Sequence, residues 1–196
     1  MSKKEEIHQA TIKVVNEYGL EGATISKISK QAKVSPGIIY HYFDTKDEII
    51  KSLFDEVKKS FFNIFSDGEP LKQPILDCYK HIWKQIYRYG LENPEKLLFM
   101  EKYRNSAYQK DSEKMAVSSF LRQLSMKNKQ AIEEGKMKKL PIEAIYTMTV
   151  GVSIEFVKLT LNGNDVFKSC SLESVADAVC RSILTEQDDD CNAKVE

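Results

Sequence analysis

TISKISKQAKVSPGIIYHYFDTK, residues 24–46, has the pattern of two short amphipathic helices joined by a tight turn. Apolar residues recur at helical spacing after Thr24, whose hydroxyl is suited to cap a helix start. Ser35 then offers a second N-cap, and Pro36 takes the first helical position, where its missing amide costs nothing. Two short helices joined in this way predict a helix-turn-helix, which sets its second helix in the DNA major groove.

The second of these helices has one inward and one outward face. A helical wheel over residues 35–43 puts Ile39 and Phe43 together on the inward side. The outward side carries few charges, so it could approach base edges and phosphates closely. An ordinary helical hairpin with an exposed aromatic residue would have the same pattern. The outward residues are Gly37, Ile38, Tyr40 and His41.

Positive charge is concentrated around the turn. Residues 24–46 hold four lysines, including Lys27 and Lys46, against one acid, a balance of +3, whereas residues 1–60 hold ten lysines and nine acids. Binding to DNA would therefore depend on a local patch and would weaken as salt rises. Lys46 falls in the first turn of the next helix, where it would help to hold a phosphate; a solvated lysine is the alternative.

The same stretch resembles a known family. Its pattern, in chain order, is Gly19 before the Thr24-led helix, then Ala32-x-Val34-Ser35, Gly37-x-x-Tyr40-x-Tyr42-Phe43 and Lys46-Asp47-Glu48. Residues 7–50 are similar to the N-terminal domain of the TetR family of bacterial transcriptional repressors. This resemblance covers about the first quarter of the chain, and beyond it we expect only the general layout of the family.

The resemblance implies roles for the matching residues. It implies that Thr24 and Tyr42 contact phosphate, that Lys46 anchors the DNA backbone, and that the outward face of the second helix lies in the groove. Ile38 departs from the pattern, because many relatives carry threonine or another hydrogen-bonding residue there, and it would contact only a thymine methyl. The predicted DNA-binding set is Thr24, Lys27, Ser35, Gly37, Ile38, Tyr40, His41, Tyr42 and Lys46.

The rest of the chain also has helical patterns. Ser2 and Glu5 form a capping box for a first helix that ends at Gly19, and a long fourth helix continues past Phe65. Further helices are expected at 71–91, 94–104, 112–134, 141–162 and 172–185. We predict an all-α protein with a three-helix, helix-turn-helix DNA-binding domain at 1–46, a helical ligand-binding and dimerisation domain at 47–186, and an acidic, disordered tail at 187–196.

Composition excludes several classes of protein. The 196 residues include 29 acidic and 29 basic ones, with no apolar signal segment and no run of about eighteen apolar residues. We therefore expect a cytoplasmic protein without a membrane partner. His81, with Asp77 and Cys78 one turn earlier, lacks further ligands, so neither a metal site nor a cofactor is predicted. Scattered, reduced thiols are expected at Cys78, Cys170, Cys180 and Cys191.

Aromatic and sulfur-containing side chains recur in the middle helices. Such side chains line apolar pockets between the helices of bundle proteins, although an aromatic stripe at helical spacing is more often plain core. Trp83 and Tyr103 stand out because each can stack and also form a hydrogen bond. The candidate ligand-binding residues are Tyr79, Trp83, Tyr87, Phe99, Met100, Tyr103, Phe120 and Leu124.

The last two predicted helices have more apolar surface than one chain readily covers. The segment IEAIYTMTVGVSIEFVKLTL is apolar around most of its circumference, and the next helix carries an apolar stripe. Two such pairs about a twofold axis would form an intermolecular four-helix bundle, as the resemblance also implies; burial within one chain is the alternative. The predicted dimer interface is Tyr146, Val150, Ile154, Val157, Val175, Val179 and Ile183.

Together these patterns predict a homodimeric, ligand-responsive transcriptional regulator. Two reading helices about 34 Å apart would bind a palindromic double-stranded operator, and we expect a repressor released by a small hydrophobic or aromatic molecule. An activator, or a scaffold that acts through protein partners without an inducer, would have the same DNA-binding helices. The sequence has no Gly-rich phosphate loop, GxSxG elbow or Cys/His catalytic signature, so we expect no catalytic residues and no enzyme.

Overall fold

The described part of the protein, residues 2–66, 68–108 and 119–185 of a computed structural model, is almost entirely helical. It contains no strand, only an isolated antiparallel bridge between Met137 and Leu184, which agrees with the predicted all-α fold. Two 3-10 turns, Ile64–Ser66 and Pro70–Lys72, lie between the fourth and fifth helices. The helices are α1 Lys3–Gly22, α2 Ile25–Ala32, α3 Pro36–Tyr42, α4 Lys46–Asn63, α5 Ile75–Glu92, α6 Pro94–Arg104, α7 Ser119–Glu133, α8 Ile142–Leu161 and α9 Leu172–Arg181.

These helices belong to two compact units. Of the described residues, the first unit holds those up to Phe61 and those from Glu92 to Tyr108, and the second holds Phe62–Leu91 and residues 119–185. The chain therefore passes from one unit to the other inside α4 and again at the end of α5. The domain boundary predicted after Lys46 stays a prediction. The predicted tail at 187–196 and the start of the helix predicted at 112–134 lie outside the described residues.

The first unit is built around α1. The predicted capping box is present, since Ser2 Oγ accepts from the Glu5 amide at 3.2 Å and Glu5 Oε2 accepts from the Ser2 amide at 2.6 Å. Gly19 has φ 74° and ψ 171°, so the predicted helix end is a bend that only glycine adopts at low cost, followed by one more short turn. Fully buried side chains from α1 to α4 form the core: Ile7, Val15, Ile28, Ile39, Ile49 and Ile50.

Three helix ends after Lys46 differ from the sequence prediction. The α-helical part of α4 stops at Asn63 and continues only as a 3-10 turn. Helix α5 starts at Ile75 and not at residue 71, because a residue before proline avoids the helical region, and Gln73 has ψ 164°. Helix α9 stops at Arg181 because the backbone of residues 183–185 pairs with residues 136–138; for example, the Lys138 amide donates to the Ile183 carbonyl at 3.0 Å.

Helix α8 is long and apolar but interrupted. Thr147–Gly151 forms one π-helical turn in its middle, a feature that is frequent at functional sites. Among the described helices, α8 is the one long and apolar enough to cross a membrane. Its most apolar 18-residue window has a mean hydropathy of 1.3, and 28% of this window is buried inside the chain. The sequence has no run of about eighteen apolar residues and therefore predicted no membrane-spanning helix. The composition of α8 is nonetheless apolar enough to meet the criterion for one. A core helix of a soluble protein also passes this test.

Candidate DNA-binding and effector sites

Local sequence holds α3 in the orientation that the helical wheel predicts. Ser35 Oγ caps the helix by accepting from the Ile38 amide at 3.4 Å, and Pro36 occupies its first position. Ile39 and Phe43 are buried at 0% and 3% exposure. The residues of α3 that are predicted to bind DNA are all exposed: Gly37, Ile38, Tyr40, His41 and Tyr42. The two faces of α3 therefore separate as predicted, while the DNA contacts themselves remain predictions.

Gly37 is not required by the fold. A Cβ at this position would come no closer than 3.8 Å to Ser35 Oγ, an ordinary van der Waals distance, and its φ lies outside the left-handed region. Glycine in a helix costs stability relative to alanine. The open backbone at Gly37 is consequently available to a molecule that approaches from outside.

Two lysines of the predicted DNA-binding set are anchored on the end of α1. Lys27 Nζ donates to the Gly22 carbonyl at 2.8 Å and lies 4.2 Å from the centre of the Tyr18 ring. Lys46 Nζ donates to the Leu20 carbonyl at 3.3 Å. Each ammonium keeps further N–H donors for a phosphate. Sequence reasoning missed Tyr18, which is 48% exposed and forms a cation–π contact with Lys27.

Thr24 serves the local fold as a cap. Its Oγ1 accepts from the Lys27 amide at 3.3 Å, as expected for an N-cap residue, and the side chain is otherwise exposed. The hydroxyl can donate to a phosphate while it accepts this bond.

A buried histidine joins α1 to α4 beneath α3. His8 Nδ1 lies 2.7 Å from Glu56 Oε2 and Nε2 lies 3.3 Å from Ser52 Oγ, while the His8 ring is 5.4 Å from that of Phe43. Burial lowers the pKa of His8 below its usual value, and the hydrogen bond to Glu56 opposes part of this shift. The histidine was not singled out in the sequence, because its partner lies 48 residues away.

Helix α6 is fastened to the carboxyl-terminal part of α1. Lys102 Nζ donates to the carbonyls of Val15 and Asn16 at 3.2 and 2.5 Å, and Asn16 Nδ2 donates to the Glu95 carbonyl at 2.8 Å. These contacts fix the part of α1 that precedes the bend at Gly19.

The predicted ligand-binding residues do not form one cluster. Tyr103 stacks on Phe54 with ring centroids 3.8 Å apart, so it is core of the first unit. Phe99 and Met100 are buried in that unit too, at 0% and 8% exposure. The other five, Tyr79, Trp83, Tyr87, Phe120 and Leu124, belong to the second unit.

In the second unit an aromatic ladder follows one face of α5. It consists of Tyr79, Trp83 and Tyr87, spaced four residues apart. Tyr79 Oη accepts from Asn128 Nδ2 at 2.8 Å, and Tyr87 Oη lies 2.9 Å from Thr160 Oγ1. Burial raises the pKa of Tyr79 far above its usual value, so the phenol stays protonated. Asn128 and Thr160 were not predicted, because helix periodicity does not reveal which polar residue meets a distant hydroxyl.

Trp83, the middle residue of the aromatic ladder, has an unused hydrogen-bond donor. It is 1% exposed, and its Nε1 has no partner among the described residues. Its ring stacks on Tyr87 at 6.0 Å between centroids and meets the edge of Phe156 at 5.8 Å. An unpaired buried donor costs free energy comparable to a lost hydrogen bond, so it marks a position suited to an acceptor from a ligand.

The predicted dimer residues divide by exposure. Ile154, Val157 and Ile183 are buried within the chain at 7% or less, where they pack the core of the second unit. The half-buried ones retain apolar surface for a partner: Tyr146, Val150, Val175 and Val179. Ile142, Leu159 and Leu161 add exposed apolar surface on α8 that the prediction did not include.

No group of three metal-ligating side chains occurs in the described ranges 2–66, 68–108 and 119–185. Cys78 and Cys180 are buried, free thiols, and burial raises the pKa of Cys78 to about 11 and that of Cys180 to about 12. Such thiols are inert as nucleophiles at neutral pH.

A capped helix-turn-helix with an exposed glycine and aromatic face, in a chain that also has a second helical unit, defines a helix-turn-helix transcriptional regulator. Residues 7–53 match the model of bacterial regulatory proteins of the TetR family, and residues 74–184 match the tetracyclin repressor-like C-terminal domain. The chain belongs to the TetR family. This confirms the family predicted from residues 7–50.

Similar proteins are regulators and not enzymes. An uncharacterized helix-turn-helix regulator of Haemophilus influenzae is 30% identical over 107 residues, which cover 55% of this chain and 57% of that protein. The regulator BetI of Proteus mirabilis is 35% identical over 75 residues, which cover 35% of this chain and 38% of BetI. Both matches span less than two thirds of the relative. The family to which this chain belongs is one of bacterial regulatory proteins, and the prediction that the protein is not an enzyme is confirmed.

The fold recurs in solved structures of the family. A TetR-family regulator from Haemophilus influenzae superposes with a TM-score of 0.75 at 23% identity, over 93% of this chain and 97% of that one. One from Marinobacter aquaeolei gives 0.73 at 22% identity, over 94% and 96%. At these identities the likeness establishes the fold alone.

Proposed function

We propose that the protein is a homodimeric repressor of the cytoplasm that binds a palindromic operator and is released by a small hydrophobic or aromatic effector. The observation that carries this proposal is the outward face of α3. Gly37, Tyr40 and His41 are exposed there on a helix whose other face is fixed in a core by Ile39 and Phe43. Rigid support of this kind lets a short helix discriminate between base sequences.

Dimerisation is supported by the apolar surface of α8 and α9. Only 28% of the most apolar window of α8 is buried inside the chain, and an apolar face of this extent marks an interaction site. A twofold axis would present the same face from both copies. The two α3 helices would then meet successive major grooves, which requires a palindromic operator.

The effector is proposed to bind at the aromatic ladder of α5. The three rings offer stacking surfaces, and the unpartnered Trp83 Nε1 would donate to an acceptor atom of the effector. Helix α4 is proposed to carry the response, because the chain passes from the first unit to the second within it. In this proposal α4 has two positions, one that favours operator binding and one that does not. An effector changes operator affinity only to the extent that it binds one position more tightly than the other.

Selection of bound duplexes from a random DNA pool tests the DNA-binding proposal. We expect the purified protein, at about physiological salt, to enrich a palindrome with half-sites about one helical turn apart. Tyr40→Ala should weaken binding to that DNA by about 1–3 kcal/mol without unfolding the protein. Recovery of no sequence would instead favour a scaffold that acts through protein partners.

The effector proposal is tested with the selected duplex as a probe. Trp83 is the sole tryptophan, so its fluorescence reports directly on a compound that binds at the ladder. An effector should change this fluorescence and lower operator affinity. Trp83→Phe, which keeps an aromatic ring without the N–H, should raise the effector concentration needed to release the duplex. A compound that binds tightly yet leaves operator affinity unchanged would contradict the proposed coupling.

A further inference from the structure

The second unit contains a charged groove at the amino-terminal end of α5. It has a volume of about 770 Å³, within the size range of sites for small molecules. None of the rings of the aromatic ladder lines it. The groove is bordered by the start of α5, the end of α7 and the backbone that pairs residues 136–138 with 183–185. Its charged lining residues are Lys127, Lys136, Lys138, Arg181, Asp77 and Glu134.

Two of these cations are already neutralised by carboxylates. Lys136 forms an ion pair with Glu134 at 2.7 Å, and Arg181 forms one with Asp177 at 2.6 Å. Hydrogen bonds from these cations lower the pKa values of both carboxyl groups, so both are ionised at neutral pH. These pairs add little net charge to the groove.

In the part of the chain that the structure describes, the other two cations donate hydrogen bonds only to backbone carbonyls, and Glu134 attracts Lys127 without a direct hydrogen bond. Lys127 Nζ donates to the carbonyls of Leu71 and Gln73 at 3.2 and 2.6 Å, and Lys138 Nζ donates to the Ser182 carbonyl at 3.0 Å. A carbonyl holds an ammonium group in place without cancelling its charge. Each lysine has three donors, so Lys127 retains one and Lys138 retains two.

The groove also has an apolar part. Ile75 and Leu76 on α5, Ala131 on α7 and Leu184 contribute to its wall. Asp77, the lining carboxylate without an ion pair among the described residues, offsets one of the two lysine charges, so the groove suits a ligand with a single negative charge. A ligand that matches this lining has one anionic group and an apolar body.

We propose that this groove is a binding site for a small amphipathic organic anion, with Lys127 and Lys138 contacting its carboxylate or other singly charged group. This site goes beyond the proposed function, because it is separate from the aromatic ladder and its occupancy does not require DNA. Charge-assisted hydrogen bonds from the two positioned ammonium groups would select an anion over its uncharged analogue.

Calorimetric titration of the full chain with 2-naphthoate, and with uncharged 2-naphthamide, tests this site. Naphthoate should bind with one site per chain and about tenfold more tightly than naphthamide. Lys127→Gln/Lys138→Gln should weaken naphthoate binding by about tenfold or more. The matched control, Lys129→Gln/Lys139→Gln, removes the same charge from exposed lysines outside the groove and should change the affinity by less than about twofold.

Chemical shifts locate the bound naphthoate. The methyl groups of Ile75 and Leu184 should shift on titration, whereas the Trp83 indole resonance should not. Three results would overturn the proposal: no binding, equal affinity for naphthoate and naphthamide, or unchanged binding in the Lys127→Gln/Lys138→Gln variant. A shift of the Trp83 indole instead of the groove methyl groups would place the anion at the aromatic ladder and equally overturn it.

Discussion

At Gly37 the requirements of folding and of DNA binding can be separated. Its Cβ space is open and its φ is ordinary, so Gly37→Ala should raise the free energy of unfolding by about 0.5–1 kcal/mol. The added methyl group would stand between the α3 backbone and the DNA, and operator affinity should fall by about tenfold. Urea unfolding and fluorescence anisotropy with the selected duplex measure the two effects. Higher stability with unchanged affinity would show that this backbone does not approach DNA.

His8 should make the stability of the first unit depend on pH. Because burial lowers its folded-state pKa below 6.5, the unfolded chain takes up a proton at a higher pH than the folded chain does. The contribution of neutral His8 is therefore fully present above about pH 6.5 and is lost as pH falls through the lowered pKa. Urea unfolding at several pH values should show a steeper loss for the wild type than for His8→Gln. Parallel pH profiles would contradict this assignment.

Sequence periodicity was a reliable guide to which face of α3 each residue occupies. Ile39 and Phe43 point inward because their spacing matches one helix face, a property that is local to the chain. The anchors of Lys27 and Lys46 were not predictable in this way. Lys46 reaches the Leu20 carbonyl across 26 residues, and only the packing of α1 against α4 brings those atoms together.

At the scale of elements, the turn between α2 and α3 has a conformation that lysine tolerates poorly. Lys33 has φ 56° and ψ 40°, and the next amide, Val34, donates to the Ser29 carbonyl at 3.1 Å. Since glycine is the usual residue at such a left-handed helix end, Lys33→Gly should raise the free energy of unfolding by about 0.5–1 kcal/mol.

Lys30→Gly is the matched control for this turn. It removes the same charge from a position inside α2, where glycine should lower the free energy of unfolding by about 1 kcal/mol. Thermal or urea unfolding of both variants decides the question, and a loss of stability in both would contradict the strain assigned to Lys33.

Helix positions were predicted well where local signals mark both ends. Pro94 and the Asn93 before it set the start of α6, and its end at Arg104 also agrees with the prediction. The end of α9 was missed because it depends on pairing with residues 136–138, which lie far away in the sequence. The π-helical turn in α8 leaves no mark in the apolar pattern, since the same residues also fit an uninterrupted helix.

At the scale of the whole molecule, the hardest feature to predict was which unit contains each helix. Aromatic content grouped α5 and α6 as one candidate effector site, yet α6 packs on α1 in the first unit. Lys102 and Asn16 make that contact by hydrogen bonds to backbone carbonyls. Backbone acceptors have no sequence signature, so the partner of α6 could not be identified from composition or spacing.

The proposed dimer leads to a prediction for the whole molecule. Val179 on α9 is half-buried in the single chain, and in a dimer its remaining surface would be covered. Val179→Glu would place one unpaired, buried carboxylate from each protomer in the dimer interface. It should weaken association by about 3 kcal/mol. Sedimentation velocity over a range of protein concentrations should detect the resulting monomer, while the melting of its helices should stay close to that of the wild type.

Met126→Glu provides the control for dimer disruption, because Met126 is 70% exposed on α7, outside the predicted interface. This variant should remain dimeric and bind the palindrome as the wild type does. Val179→Glu should lose affinity for the palindrome but keep its weak affinity for a single half-site, since each α3 and its supporting core stay intact. If Val179→Glu sediments as a dimer with full operator affinity, the dimer forms through another surface. Loss of half-site binding as well would mean that the substitution acts on the fold and not on association.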